Sequence, residues 1–306
     1  MSSAKPVGQT RDIQELFAGK VFEVPDYQRA FSWEQDPQLE DFWNDIKEAM
    51  QTRTEHYWGT VTLRSTGKCI ECEKAGTPFK VFEIVDGQQR ITTIYLFLLA
   101  LSRKKPVIMN AFIRSEDIYR LKLGGLNDVF LKALVDGKDP QPDIKTNRLL
   151  KKAFGFFIDQ LEAYIKQPSD VIALYQYLQL STFSLEFTVP DETLAVKAFQ
   201  SLNDRGKPLT LLDKTKSFFM FHSLRYLSNS LAPLINSVLG SIFMNYDIIR
   251  GIGEKEEIDY INSRAFSEDE VLRFFYHYFA SYAISKYNLI SYYDVDETAD
   301  DVFKRF

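Results

Sequence analysis

An α+β fold is predicted: a small mixed sheet with helices, followed by a mainly α-helical region. Three observations lead there. Apolar, β-rich runs at 20–24, 57–64 and 79–85 have the length of strands. Two stretches among them, 37–50 and 88–101, repeat apolar residues every three to four positions, as amphipathic helices do. Beyond residue 125 the helical period dominates. A chain of 306 residues is long for one compact core, so two regions are expected. These are an α+β core at 1–125 and a mainly helical domain at 126–306, with a strand at 183–189 and a loop at 203–206 returning to the core.

Taken in order, the polar start through Thr10 is expected to be frayed, with order beginning near Ile13. The strand 20–24 is closed by Pro25, which has no ladder donor. Leu39, Phe42, Trp43, Ile46 and Met50 share one face of the next helix, and Pro37 suits its first turn. Strands at 57–64 and 79–85 flank a polar tip. Asp86 stands ahead of the helix 88–101 as a candidate cap. Further strands are expected at 107–113, 118–123 and 183–189. Helices are expected at 148–166, 169–180, 191–202 and 210–227, the last opening on a Thr210/Asp213 capping box, and the segment 231–286 is mostly helical.

The net charge of -5 carries no general basic footprint, so any nucleic-acid contact has to be local. No apolar run approaches the roughly 20 residues that span a bilayer, and the first twenty residues lack a signal core. A cytoplasmic protein with no membrane partner is therefore expected. Cys69 and Cys72 form a Cys-x-x-Cys pair without the further paired ligands a zinc site needs, and read as reduced thiols at a hairpin tip. The three histidines are isolated. No Walker-type glycine loop occurs.

Three clusters carry candidate chemistry. The first is Val85-Asp86-Gly87-Gln88-Gln89-Arg90-Ile91-Thr92-Thr93. A strand delivers the chain to an Asp-Gly turn, and the amides opening the next helix offer a positive dipole end to an anion. Arg90 can add a forked contact to phosphate, Gln88 and Gln89 can hydrogen-bond, Thr92 or Thr93 can reach the same anion, and Asp86 can hold Mg²⁺ or orient water. The plainer alternative is a capped helix with Arg90 in a surface ion pair. The second cluster, Pro25-Asp26-Tyr27-Gln28-Arg29-Ala30-Phe31-Ser32-Trp33, interleaves aromatics with Gln28 and Arg29, which suits base stacking by Tyr27 or Trp33, or equally an aromatic staple. The third, Asn203-Asp204-Arg205-Gly206-Lys207, is ordinary turn chemistry that also gathers both charge signs on one loop, ahead of a helix start.

In this order the three clusters, with the helix 209–216 after the last, resemble the N-terminal domain of the GmrSD family of modification-dependent restriction enzymes. The resemblance covers residues 20 to 220. It implies a ParB- and sulfiredoxin-like core that binds and hydrolyses a nucleoside triphosphate with Mg²⁺ or another divalent cation. Carried onto this sequence, it makes Asp86, Gln89 and Arg90 catalytic, with Asp86 also the metal ligand. It also nominates Gly87 and Gln88 for nucleotide binding; the residues themselves add Thr92, Thr93, Asn203, Asp204, Arg205 and Lys207 as expected nucleotide contacts and Tyr27, Gln28, Arg29 and Trp33 as expected readers of modified DNA. It also implies a role in phage defence and an HNH-type nuclease partner. With only three histidines, none in a His-x-x-Pro context near the end, the cutting half is expected outside this sequence or on a separate polypeptide. A homodimer is one arrangement open to the protein. Two other readings stay open: a DNA-binding module without turnover, and a helical scaffold whose clusters are only turns and caps.

Overall fold

A computed structural model describes residues 7–25, 28, 30–73, 76–189, 210–228, 230–263, 266–274 and 277–278. The chain forms two compact units, Met1–Phe199 and Gln200–Phe306. The first holds a six-stranded mixed sheet in the order β1-β8-β3-β4-β2-β7. Its strands are β1 (Val7–Asp12), β2 (Lys20–Glu23), β3 (His56–Ile70), β4 (Phe79–Asp86), β7 (Leu121–Lys122) and β8 (Thr182–Val189). A separate two-stranded ribbon pairs β5 (Arg114–Ser115) with β6 (Ile118–Tyr119).

Strand directions place the site. β2 runs parallel to both β4 and β7, with Phe22 opposite Phe82 and Leu121, so three chain segments leave the sheet at one edge. β3 runs antiparallel to β4 and parallel to β8. The central helix α3 (Gln88–Ser102) follows β4 and is buried along its length, apart from Arg90. Against it pack α2 (Glu40–Thr52), α4 (Gly125–Val135) and α5 (Lys145–Tyr164), while α1 (Ile13–Phe17) and α6 (Pro168–Leu180) complete the same core. Phe42 stacks on Trp58 at 5.1 Å and meets Phe97 and Phe157 edge-on, so these aromatics join helix to sheet and helix to helix. The opposite sheet face carries a small cluster of Val21, Cys72, Phe79 and Val81. The second unit contains α7 (Leu211–Tyr226), α8 (Ala232–Lys255) and α9 (Asp259–Asn262). No helix among the described residues is long and apolar enough to cross a membrane.

The sheet and helices are those of the expected α+β class, with several local corrections. Residues 7–12 form an edge strand against β8, with α1 beginning at an Asp12/Glu15 capping box. Pairing with a strand distant in sequence is invisible to local composition. The expected strand 107–113 is instead helical, closing in a wide turn at Met109–Ile113 that buries Phe112 and Ile113. Short apolar runs fit either period, and tertiary burial decides. The expected strand 118–123 is split at Arg120 between the ribbon and the main sheet. The helices at 125–135, 145–164 and 168–180 are built into the first unit, and the strand at 182–189 lies inside its sheet. The expected helix 191–202 lies outside the described residues.

Two buried cations tie the sheet to α1. Lys20 Nζ donates to Glu186 Oε2 at 2.6 Å and to the carbonyls of Glu15 and Leu16, both at 3.2 Å, closing the C-terminal end of α1. Burial pulls its pKa below the usual lysine value, with Glu186 opposing that shift. Arg120 donates to the carbonyls of Lys20 and Phe17 and lies 4.2 Å from the Phe79 ring centroid. Burial lowers its pKa to about 10.

Removing one partner of a buried pair leaves an uncompensated charge. Glu186→Ala is therefore expected to destabilise the fold by about 3–5 kcal/mol, measured by urea unfolding. Combining Lys20→Met with Glu186→Leu should recover most of that loss, because an apolar pair of similar volume needs no counter-charge.

Candidate functional site

At the shared sheet edge, β4 ends at Asp86 and the chain turns into α3 through Gly87, which is the N-cap at φ 91°. Only glycine takes this left-handed conformation without strain, and here space forbids a side chain as well. A Cβ at Gly87 would lie 3.0 Å from the Thr60 carbonyl oxygen on β3. As a glycine, the N-cap residue itself offers α3 no side-chain cap. Asp86 is thus not the cap that the sequence suggested. It stands one residue too early, and its carboxylate instead accepts from Arg90 Nη2 at 3.2 Å.

Arg90 is held from a second side. Its Nη2 also donates to the Thr60 carbonyl at 2.7 Å, while its side chain remains 34% exposed against 19% for Asp86. The guanidinium lies over Gly59, where β3 has a register irregularity and φ is 103°. A Cβ at Gly59 would meet Arg90 Cδ at 2.9 Å and Nε at 3.1 Å. Gly59 and Thr60 were missed in the sequence. The available signal was a lone glycine inside a strand pattern, which marks a bulge or a close approach.

The second cluster reaches the same place. Gln28 Nε2 donates to the carbonyls of Ile84 at 2.6 Å and Val85 at 3.1 Å, just before the turn. In return, Gln89 Oε1 accepts from the Ser32 amide at 2.9 Å and its Nε2 donates to the Ala30 carbonyl at 3.1 Å. Phe31 is buried in the core and Trp33 packs against it, which is the staple arrangement for those two rings. Gln88 is buried at the first turn of α3, and Thr92 and Thr93 lie buried in the second. Among the described residues, Arg90 Nε, Thr93 Oγ1 and Ser32 Oγ are buried without a hydrogen-bond partner. Such orphaned groups call for a water or a ligand.

A third chain segment leaves this edge through Leu123-Gly124-Gly125 into α4, whose start also lacks a side-chain cap. The sheet spacing puts its turn about 10 Å from Gly87, two strands away. The double glycine was legible in the sequence but unassigned.

Tyr27, Arg29, Asn203, Asp204, Arg205 and Lys207 lie outside the described residues. The helix after them is described: the amides of Leu211 and Leu212 donate to Asp269 Oδ1 at 2.6 and 3.2 Å, so the start of α7 already has an anionic partner. Elsewhere, His56 stands edge-on to Trp58 at 4.5 Å, and burial lowers its pKa. Cys69 is exposed, while Cys72 is buried with its thiol 3.8 Å from Glu116 Oε2. Among the described residues, no group of three or more His, Cys, Asp or Glu side chains could hold a metal ion.

The family model described as GmrSD restriction endonuclease, N-terminal domain, matches residues 13–220. No curated protein matches the chain. The match runs from the start of α1 into α7 and contains all three clusters.

The tight fit of Arg90 over Gly59 gives a direct test. Gly59→Ala combines a left-handed backbone with a side-chain clash and should destabilise the fold by about 1–3 kcal/mol, read from the denaturation midpoint. A crystal structure of the variant should show the guanidinium displaced from the Thr60 carbonyl.

Proposed function

The chain belongs to the GmrSD restriction endonuclease N-terminal domain family, a component of restriction systems, and on that premise we propose that it is the nucleotide-hydrolysing sensor of a modified-DNA-dependent phage defence. The nuclease would lie on a separate chain or beyond this sequence. The observation that carries this reading is the Asp86–Arg90 pair set at the start of α3, whose N-cap is the glycine Gly87. A polyphosphate suits this place because helix-opening amides and a fixed guanidinium are complementary to phosphate oxygens.

The chain's own groups would divide the work. The amides opening α3 bind the terminal phosphates, while Gly87 lets the backbone approach closely. Arg90 is held in advance by the Thr60 carbonyl, so little ordering is needed when a phosphate replaces Asp86 as its anionic partner. Stabilising charge on the transferred phosphoryl group is the main source of rate in such reactions, and a preorganised arginine supplies it. Released from the ion pair, Asp86 would accept a hydrogen bond from the attacking water and hold it in line. Tyr27 and Arg29 would serve the recognition of modified DNA.

A divalent cation fits these residues in one way. With no group of three or more such ligands among the described residues, Asp86 suits a magnesium ion that would arrive with the polyphosphate and keep most of its waters, rather than a resident metal in a protein cage. Such an ion would neutralise phosphate charge when bound.

Phosphate release by the purified protein, measured across the common nucleoside triphosphates with and without Mg²⁺ and modified DNA, tests the proposal. Arg90→Ala should lower turnover by about a hundred- to a thousandfold. Arg90→Lys should recover only part of it, because a lysine offers charge without the fork. Unchanged hydrolysis in Arg90→Ala would reject the assigned role. Salt-sensitive DNA binding that ignores nucleotide, without phosphate release, would favour a DNA-binding module instead.

A further inference from the structure

Gln28 and Gln89 come from segments nearly sixty residues apart, yet each spends its side-chain amide on the other segment's main chain. Gln89 reads two backbone groups as a neighbouring strand would, accepting from the Ser32 amide and donating to the Ala30 carbonyl. Gln28 donates to the carbonyls of Ile84 and Val85, at the end of β4. Gln89 is 9% exposed. Four hydrogen bonds of 2.6 to 3.1 Å therefore close a ring between the Asp86–Gly87 turn and the segment Gln28–Ser32. Gln28 has its amide nitrogen engaged with two carbonyls, and Gln89 has its oxygen and one N–H engaged, so both carboxamides are fixed by main-chain partners.

We propose that Gln28 and Gln89 are positioning residues, a reciprocal clamp that sets the Gln28–Trp33 segment against the Asp86–Arg90 turn so that two motifs act as one site, and that neither side chain touches the nucleotide. The assignment to nucleotide turnover rests on the function proposed above, whereas the clamp itself does not. Glutamine suits the task because its amide matches the backbone's donor and acceptor pair and carries no charge to compete with Asp86 and Arg90. Loss of the clamp would free the segment without removing any phosphate-binding group. Binding would weaken, because the segment would have to be ordered each time nucleotide entered.

The test uses Gln89→Met and Gln28→Met, which keep side-chain length and remove the hydrogen bonds. Amide hydrogen exchange of the nucleotide-free protein is read at Ala30–Trp33, with the core of α3 as the internal control. Loss of two hydrogen bonds should speed exchange of the Ser32 amide about tenfold or more while α3 stays protected. Phosphate release should then show KM raised severalfold with kcat within about threefold of the parent. Unchanged exchange at Ser32 would overturn the clamp. Faster exchange with unaltered KM and kcat would overturn its role in the site, and a collapse of kcat at unchanged KM would make Gln89 a catalytic residue. Should Gln89→Met lose its fold, Gln28→Met is read alone by the same criteria. If the parent protein releases no phosphate, the nucleotide function fails while the exchange experiment still decides the clamp.

Discussion

The left-handed turn at Gly87, pressed against the backbone of β3, is the constraint from which the rest of the first unit follows. It brings β4 into α3 with so little room that a Cβ would touch the Thr60 carbonyl. This close approach puts the start of α3 directly over the irregular part of β3, and Arg90 then falls into the space that Gly59 leaves open. A helix buried along nearly all its length can show polar chemistry only at its ends. In α3 that chemistry is concentrated in the first two turns, where Gln88, Gln89, Arg90, Thr92 and Thr93 stand, and most of the remainder is apolar packing joined to α2, α4 and α5.

The sheet imposes a second kind of order. Because β4, β2 and β7 are parallel neighbours, each delivers its following segment to one edge. Ligands of open α/β sheets bind outside the carboxyl ends of such strands, where backbone amides and loop side chains converge. Here the edge gathers the Asp86–Gly87 turn, the Gln28–Trp33 segment and the Gly124–Gly125 turn. The buried cations Lys20 and Arg120 serve the opposite purpose. They bind main-chain carbonyls of α1 and β2 and hold the framework, away from the turn at Gly87.

The same residue can satisfy a structural and a functional description at once. Arg90 is in an ion pair with Asp86, as a plain reading of the helix surface would have it, and it is also anchored by Thr60 with an orphaned Nε beneath. Its bond to Asp86, at 3.2 Å, is longer than its bond to the Thr60 carbonyl, at 2.7 Å, so the carboxylate is the more readily exchanged of its two partners. The glutamines differ. Their amides face uncharged backbone partners in a partly buried setting, where an unmade hydrogen bond is costly, so their geometry is better suited to holding than to exchanging.

The sequence by itself determined the α+β class, most of the longer helices and strands, and the Asp-Gly turn between β4 and α3, because periodicity and turn chemistry are local properties of neighbouring residues. It also made the three clusters legible as one family pattern. Only the tertiary structure decided that residues 7–12 join the sheet, that 107–113 coils rather than extends, and that Gly87 rather than Asp86 holds the N-cap position of α3. It alone showed Gly59 making room for Arg90, and Gln28 and Gln89 fastening distant segments to each other. These depend on partners tens to more than a hundred residues away. A side chain's choice between backbone, solvent and ligand is set by what folding brings next to it, which composition and spacing along the chain do not encode.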